Sequence, residues 1–222
     1  MAADRIIPEE QIVPVLLAAG PSPRLPFPNA LAPFGNRTAL EIAVDNCASY
    51  GRPIVVLGCQ APLIRRAVPA GVRVIINRGW RAGQHSSLLA ALRLIPRGAA
   101  ILVYPVDHPL LTQSSINRIV SAFKCRRSGQ SIVLPVSGEK LGHPTIFASE
   151  LREEICAAKT AREVVHADAR RVKRVRLNSA AVWLDFNDPA SYRRCLREYN
   201  KSHARLQPGR GSRTHAAANR KS

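Results

Sequence analysis

The order of apolar runs and helix-period segments limits the folds open to this chain. In the first half, four apolar runs are nearly continuous: 12–19, 53–58, 72–76 and 99–106. Apolar residues recur at i, i+3, i+4 and i+7 within 40–47, 88–95 and 116–123. Buried parallel strands joined by helices give this pattern. We therefore expect an α/β fold in which helices cover both faces of the sheet.

The second half reads less regularly and favours a mixed sheet. We expect strands at 131–136, 145–148, 172–177 and 181–184, and helices near 150–158 and 160–167. A closing helix should span 188–198, with Asp188 as its N-cap and Pro189 at its first position. Beyond residue 200 the only large apolar residue is Leu206. The sequence thus predicts one domain over residues 1–200 and a basic disordered tail over 201–222.

The net charge of +18 raises the question of a nucleic-acid partner. Residues 201–222 supply 6 of these charges, and a run between Arg170 and Arg176 supplies 5. Valine and leucine interleave with that run, which favours a solvated edge strand over an anion-binding patch. Aromatic residues for base stacking are missing from the basic runs, so nucleic acid is an unlikely partner.

Three features favour a cytoplasmic protein. No apolar stretch approaches the ~20 residues that a bilayer-spanning helix needs. The N-terminus lacks a basic leader with a cleavage site. The 5 cysteines are scattered without a CxxC pair, which predicts buried free thiols in a reducing compartment.

Polar residues cluster where the predicted strands end, which is where open α/β sheets bind ligands. The first strand ends in Leu17, Ala18, Ala19 and Gly20, followed by Ser22 and Arg24. Such a small-residue loop can bring backbone N–H groups close to a phosphate, although glycine and proline after a strand often only make a turn. Asp107 follows the fourth strand, and Asp185 and Asn187 precede the last helix.

Five segments in this order resemble the MobA-like nucleotidyltransferases, most closely their molybdenum cofactor cytidylyltransferase branch. They are LAAGPSPRLPFPN at 17–29, NRGWRAGQHSSLLAAL at 77–92, PVDHPLL at 105–111, GHPTIF at 142–147 and LDFNDPASY at 184–192. The likeness covers about residues 12–200. It implies a Rossmann-like three-layer α/β/α fold of the GT-A-like type, with a mixed, mostly parallel sheet.

The resemblance also implies a reaction. An NMP group would pass from an NTP, with CTP favoured, to a phosphorylated pterin of the molybdopterin type or a similar small acceptor, and pyrophosphate would leave with the help of Mg²⁺. A pterin acceptor would imply service to a molybdenum enzyme. Residues 30–34 resemble the cytidylyltransferase form more than a glycine-rich guanylyltransferase form, and this resemblance favours CTP.

The resemblance assigns roles to individual residues. Asp107 matches the metal-binding acid, and Asp185 or Asn187 would supply a second ligand. Arg24 matches the loop arginine that meets the triphosphate, and with Asp107 it forms the catalytic pair. The nucleotide-binding set is Leu17, Ala18, Ala19, Gly20, Ser22, Arg24, Asn29, Ser86 and Ser87. His143 would line the acceptor side, while packing alone would also account for it.

One departure from the family pattern concerns charge. Asn29 stands where the family has a lysine that contacts the phosphates. Losing one such donor typically costs roughly 2.7–4 kcal/mol, or ~10²–10³ in rate, unless Arg37 or Lys140 compensates. The alternative reading is therefore a catalytically weakened member that binds nucleotide or cofactor as a maturation factor. His85 and His108 receive no role.

Overall fold

The computed structural model describes residues 9–206 and shows one mixed sheet between two layers of helices. The strands are β1 Ile12–Ala18, β2 Pro33–Phe34, β3 Arg37–Thr38, β4 Ile54–Leu57, β5 Arg73–Ile76, β6 Ala100–Pro105, β7 Ile132–Ser137, β8 Lys140–Leu141, β9 Thr145–Phe147 and β10 Val172–Arg176. The helices are α1 Ala39–Cys47, α2 Ala61–Arg65, α3 Gln84–Leu92, α4 Gln113–Lys124, α5 Arg152–Ala157, α6 Ala161–Ala167 and α7 Pro189–Leu206.

The main sheet has the strand order β10-β7-β9-β6-β1-β4-β5, and β8 pairs with β7. β1 runs parallel to both of its neighbours, β4 and β6, and β9 is inserted antiparallel between β6 and β7. β2 and β3 form a separate antiparallel pair. The carboxyl ends of β1, β4, β5 and β6 therefore meet at one edge of the sheet, and this edge carries the candidate site.

Alternating side chains of the central strand supply the two cores. Ile12, Leu16 and Ala18 of β1 pack in a layer with the apolar stripes of α1 and α4. Val15 and Leu17 point to the other layer, where α3, α5 and α6 cover the sheet. Period-2 strands and period-3.6 helices thus bury matching faces, as the sequence predicts.

A third cluster attaches the last helix to the β2–β3 pair. Phe34, Phe186 and Tyr199 are buried there, and their rings lie 5.5 Å apart in each pair that involves Phe34. Asp188 caps α7, because its Oδ1 accepts hydrogen bonds from the backbone N–H groups of Ala190 and Ser191. This anchoring holds the turn at 184–187 next to the end of β6.

The structure corrects some of the expected elements. Residues 180–182 form a 3₁₀ turn instead of a strand, because the Ser179 hydroxyl caps it and Trp183 donates its backbone N–H to the Ala180 carbonyl. The closing helix continues to Leu206, past the expected start of the tail. Residues 201–206 of the expected 201–222 tail are therefore helical, and residues 207–222 lie outside the described residues, so their disorder stays a prediction.

The basic run forms an edge strand, as expected. β10 pairs with β7 alone among the described strands, Arg171 pairs with Glu154, and Lys173 donates to two backbone carbonyls. All five cysteines are free, as expected. Cys47 and Cys195 are buried, but Cys59 is half-buried and Cys125 and Cys156 are exposed, so the expectation of buried thiols is wrong for these three. Within 9–206 no helix is long and apolar enough to cross a membrane.

Candidate active site

Two adjoining cavities open at the carboxyl edge of the sheet. The first has a volume of about 200 Å³ and is lined by the ends of β1 and β6, the start of α3 and the turn before α7. Of the residues expected at the site it brings together Leu17, Ala18, Ala19, Gly20, Asn29, Ser87, Asp107 and Asn187. The second has a volume of about 720 Å³ and contains Asp185 and His143. Gln84 lines both cavities.

The loop after β1 is held close to the end of β4. The Cys59 backbone N–H donates to the Ala19 carbonyl at 2.9 Å. A Cβ on Gly58 would lie 2.7 Å from that carbonyl oxygen and 2.6 Å from the Cβ of Trp80. Only glycine fits at residue 58, and the close approach gives the loop a fixed backbone. Around Gly20, in contrast, a Cβ would meet nothing within 4 Å, so the cavity side of the loop is open.

Asn29 joins the first loop to the turn before α7. Its side-chain Nδ2 donates to the Phe186 carbonyl and to Asn187 Oδ1, each at 3.2 Å. Its backbone N–H donates to the Ser22 hydroxyl at 2.8 Å. Ser22 therefore shapes the loop and does not line the first cavity. Asn29 therefore links two walls of the cavity by hydrogen bonds. The comparison of this residue with the lysine of the family pattern did not suggest this role.

Asp107 is the ionisable group of the first cavity. Its Oδ1 is buried and has no hydrogen-bond partner among the described residues, and His108 Nε2 lies 3.8 Å from it, beyond hydrogen-bond reach. Burial, and next the neighbouring Asp185 carboxylate, raise the pKa of Asp107 to about 7. Asn187 Nδ2 donates to Asp185 Oδ2 at 2.9 Å, which orients that carboxylate.

A buried asparagine that the sequence analysis did not single out fixes the paired serines. Asn77 follows β5, and its Nδ2 donates to Ser86 Oγ at 2.8 Å and to Ser87 Oγ at 3.1 Å. Its Oδ1 accepts from the Gly79 backbone N–H at 2.9 Å. Ser87 faces the first cavity, whereas Ser86 donates to backbone carbonyls and lies outside its lining. The signal was available, because Asn77 is the first polar residue after an apolar strand.

The second cavity has an apolar floor and two unpaired imidazoles. Val103, Leu134 and Phe147 of the sheet lie at its base. The rings of His108 and His143 have centroids 5.0 Å apart. Burial lowers the pKa of His143 to about 4 and, together with the neighbouring His143, that of His108 to about 3, so both rings are neutral at pH 7.

Cations are missing from the first cavity. No lysine or arginine of the described part of the chain lines it. Arg24 is exposed. The pKa of Asp188 is held below its ordinary value, mainly by the hydrogen bond from the Ser191 backbone N–H, and the positive charge of Arg24 is the smallest contribution. Arg37 pairs with Asp45 at 2.6 Å, and Lys140 lies in the second cavity. Neither Arg37 nor Lys140 lines the first cavity, and a role of either residue, or of Arg24, towards phosphates stays a prediction.

The residues present fit a hard divalent cation. The buried Asp107 Oδ1 lacks a partner among the described residues, and burial and then the Asp185 carboxylate raise the pKa of Asp107. Asp107, Asp185 and Asn187 offer oxygen ligands, which Mg²⁺ and Mn²⁺ prefer. Two carboxylates leave coordination positions for waters and phosphate oxygens. Within 9–206 no group of three or more histidine, cysteine or acidic side chains forms a closed metal cage.

Comparison with known proteins identifies the family. The model of the MobA-like NTP transferase domain matches residues 14–177, which is most of the chain, and the chain therefore belongs to this family. It is 30% identical over 150 residues to nicotine blue oxidoreductase from Paenarthrobacter nicotinovorans, a match that covers 64% of this chain and 74% of that protein. The family resemblance inferred from the five motifs is thus confirmed.

Solved structures agree on the fold. Rv0371c from Mycobacterium tuberculosis H37Rv superposes with a TM-score of 0.74 at 27% identity, covering 85% of this chain and 98% of that one. A complex of Rv0371c with manganese superposes with a TM-score of 0.70 at 25% identity, over 84% and 98% of the two chains. The expected three-layer nucleotidyltransferase fold is confirmed, and a divalent metal accompanies it in a relative.

Proposed function

We propose that this MobA-like domain is a metal-dependent nucleotidyltransferase that moves an NMP group, with CTP favoured, from an NTP to a phosphorylated pterin of the molybdopterin type or a similar small acceptor. One observation carries the proposal. The unpartnered Asp107 carboxylate faces the same cavity as the fixed loop at 17–20. A candidate metal ligand in the lining of the same cavity as a backbone loop that can cradle phosphates supports the proposal.

In this proposal the metal is Mg²⁺, held by Asp107 with Asp185 or Asn187. When bound, the ion neutralises charge on the phosphates of the NTP. The loop at 17–20 binds phosphate oxygens, and its fixed backbone means that little order must be gained on binding. Ser87 contacts the nucleotide, and Asn29 keeps the two walls of the cavity at a constant spacing. The acceptor enters the second cavity, which Asp185 lines and which shares Gln84 with the first.

The test is pyrophosphate release from each NTP in the presence of Mg²⁺ or Mn²⁺ and molybdopterin. We expect release with CTP above the other nucleotides, and at least a hundredfold loss in Asp107→Asn, which keeps the size of the side chain. Asp45→Asn, which changes a carboxylate paired with Arg37 on the surface, serves as the matched control. Silence with every NTP and either metal would exclude the transferase.

The absence of a cation from the first cavity favours a second candidate, a weakened member that binds nucleotide or cofactor and supports the maturation of a molybdenum enzyme. The relative that is 30% identical over 150 residues is named as an oxidoreductase, so not every protein of similar sequence is named as a transferase. Equilibrium binding of CTP without turnover would support this candidate. Recovery of pyrophosphate release in Asn29→Lys would locate the defect at residue 29, because the substitution restores the charge of the family pattern.

A further inference from the structure

A third cavity lies at the other end of the central strands. Its volume is about 270 Å³, and its lining comes from the start of β1, the turn before β4, the first residue of β5 and the loop before β6. Pro14 lines this cavity, and Leu17, three residues further along β1, lines the first cavity. The side chains of Val15 and Leu16 between them are fully buried. The third cavity is therefore a separate site at the amino edge of the sheet.

The charged residues in the lining of the third cavity are all positive. Arg52 and Arg73 lie in it, and no acidic residue of the described part of the chain does. Neither arginine has a carboxylate partner within 9–206. Glu9 and Glu10, which precede the lining residue Gln11, each pair with a basic side chain at the end of α4. Two guanidinium charges are thus left without a counterion among the described residues.

A hydrogen bond holds the guanidinium of Arg73 in place. Its Nη1 donates to the Leu94 carbonyl at 3.0 Å, which brings the guanidinium beside the loop that contributes Pro96 to the lining. Its Nε is buried and has no acceptor among the described residues. Nη2 has no acceptor there either. A half-buried positive charge with a single hydrogen bond is poorly neutralised, and an anion that reaches Nη2 would lower its free energy.

Arg52 supplies the second charge, and the pair of arginines selects the class of anion. Arg52 is exposed in the turn before β4, so its side chain can adjust to a ligand. A guanidinium presents a planar set of donors that matches the oxygens of a phosphate or a carboxylate. Two such cations favour a phosphate group, which carries close to two negative charges, over a carboxylate, which carries one. The volume of about 270 Å³ lies just below the range of small-molecule sites and leaves room for a small organic body.

We propose that the third cavity binds the phosphate group of a small phosphorylated molecule through Arg73 and Arg52. Gln11 and Tyr50 are the other lining residues with polar side-chain groups, and the Tyr50 hydroxyl already donates to Asn117. Gln11 is therefore the polar side chain left for the organic body of the ligand. The site goes beyond the proposed function, because it uses no residue of the first or second cavity.

The probes are inorganic phosphate, glycerol 3-phosphate and acetate, with binding measured by calorimetry on the full-length protein in EDTA at constant ionic strength. We expect inorganic phosphate to bind with a Kd of about 1 mM or below, and at least tenfold more tightly than acetate. Glycerol 3-phosphate should bind at least as tightly as inorganic phosphate, because its body occupies the rest of the cavity. Weaker binding of glycerol 3-phosphate would restrict the site to the free ion and refute the organic body. Equal binding of phosphate and acetate would overturn the proposal.

Variants at the two arginines locate the binding. Arg73→Gln and Arg52→Gln should each weaken phosphate at least fivefold, because each removes one of the two charges. Arg174→Gln removes an exposed charge from the opposite edge strand β10, and as the matched control it should change the affinity by less than about twofold. Thermal unfolding checks each fold, and the exposed Arg52 keeps the test decisive if Arg73→Gln is unstable without its bond to Leu94. Unchanged affinity in either folded variant, or an equal loss in the control, overturns the proposal.

Asp107→Asn distinguishes this site from the first cavity. If phosphate bound instead at the loop over 17–20, removal of the carboxylate charge in the same cavity would tighten its binding. Binding in the third cavity should be the same in Asp107→Asn and in the unmodified protein. Tighter binding in Asp107→Asn, with unchanged binding in Arg73→Gln, would place the phosphate in the first cavity and refute the proposal. Absence of NTP turnover would reject the transferase and leave the third cavity standing, and absence of phosphate binding in EDTA would do the reverse.

Discussion

Replacing Asn77 by alanine tests whether the serines at the start of α3 are held in position from outside the helix. The side chain of Asn77 makes three hydrogen bonds of 2.8, 3.1 and 2.9 Å, to Ser86, Ser87 and the Gly79 backbone. Each is worth about 1 kcal/mol net. In the variant Ser86 keeps its hydrogen bonds to backbone carbonyls, which partly offset the loss of its bond from Asn77. We expect Asn77→Ala to lower the free energy of unfolding by about 2–3 kcal/mol.

The assays for this variant are thermal unfolding and nucleotide binding. A loss of that size lowers the Tm of a chain of this length by about 5–10 °C. The Ser87 hydroxyl, which faces the first cavity, loses the hydrogen bond that orients it. Because the Ser87 hydroxyl must then be ordered again when the nucleotide binds, the affinity of Asn77→Ala for CTP should fall roughly three- to tenfold in the presence of a divalent metal.

A destabilised control distinguishes local positioning from general loss of stability. Glu154→Ala removes the two-bond pair with Arg171 at the far edge of the sheet and should cost about 1 kcal/mol without changing CTP affinity. The reasoning fails if Asn77→Ala loses less than 0.5 kcal/mol, or if its CTP affinity equals that of the unmodified protein.

Three further outcomes are expected. Gly142→Ala should destabilise the fold by about 3 kcal/mol or more in urea unfolding, because its Cβ would lie 2.1 Å from the Val182 oxygen, whereas Gly20→Ala, with nothing within 4 Å, should change stability little. The pKa of His143 is about 4 in the folded protein and 6.5 in its ordinary state, so the unfolded chain binds more protons between these values and stability falls as the pH drops from 7 to 5. His143→Gln should reduce that fall by about 2 kcal/mol. Mn²⁺ should raise the Tm of the unmodified protein in a concentration-dependent way, and Asp107→Asn should abolish the rise, which equal shifts in both proteins would contradict.

Local periodicity was sufficient to predict the central sheet from the sequence. β1, β4 and β6 are buried on both faces, and the edge strand β5 is half-buried with Ile76 exposed. Their apolar runs are recognisable as strands because helix-period segments separate them. The expected strand at 181–184 failed for a tertiary reason. Its apolar residues are mostly buried, but the Ser179 hydroxyl caps a 3₁₀ turn, and the Val182 carbonyl of that turn accepts a hydrogen bond from the His143 backbone N–H. Burial alone does not distinguish a strand from a packed turn.

Motif positions predicted which residues gather at the site, but not how each one acts. Ala19, Asp107 and Asn187 lie around one cavity, as their places after strands and before the last helix indicate. Asn29 lines the first cavity and also bonds to the turn at 186–187, whereas Ser22 accepts a hydrogen bond from the Asn29 backbone N–H and does not line that cavity. Their contact with a nucleotide stays a prediction. Such cross-links join residues more than 150 positions apart, which no local pattern reports.

The neutral side chain at residue 29 and the lack of a lysine or arginine among the described residues that line the first cavity both affect the net charge of that cavity. Asn29 Nδ2 donates to the Phe186 carbonyl and to Asn187 Oδ1, and its own Oδ1 is buried without a partner among the described residues, so the side chain links the two walls of the cavity as a neutral donor. The cavity gains a fixed shape and loses a positive charge. Burial, and next the neighbouring Asp185 carboxylate, raise the pKa of Asp107 to about 7. Under the proposed function a polyanionic NTP enters this same space, so the divalent ion must offset both the carboxylates and the phosphates. Nucleotide affinity in this chain should therefore depend more steeply on the metal than in members that keep the lysine.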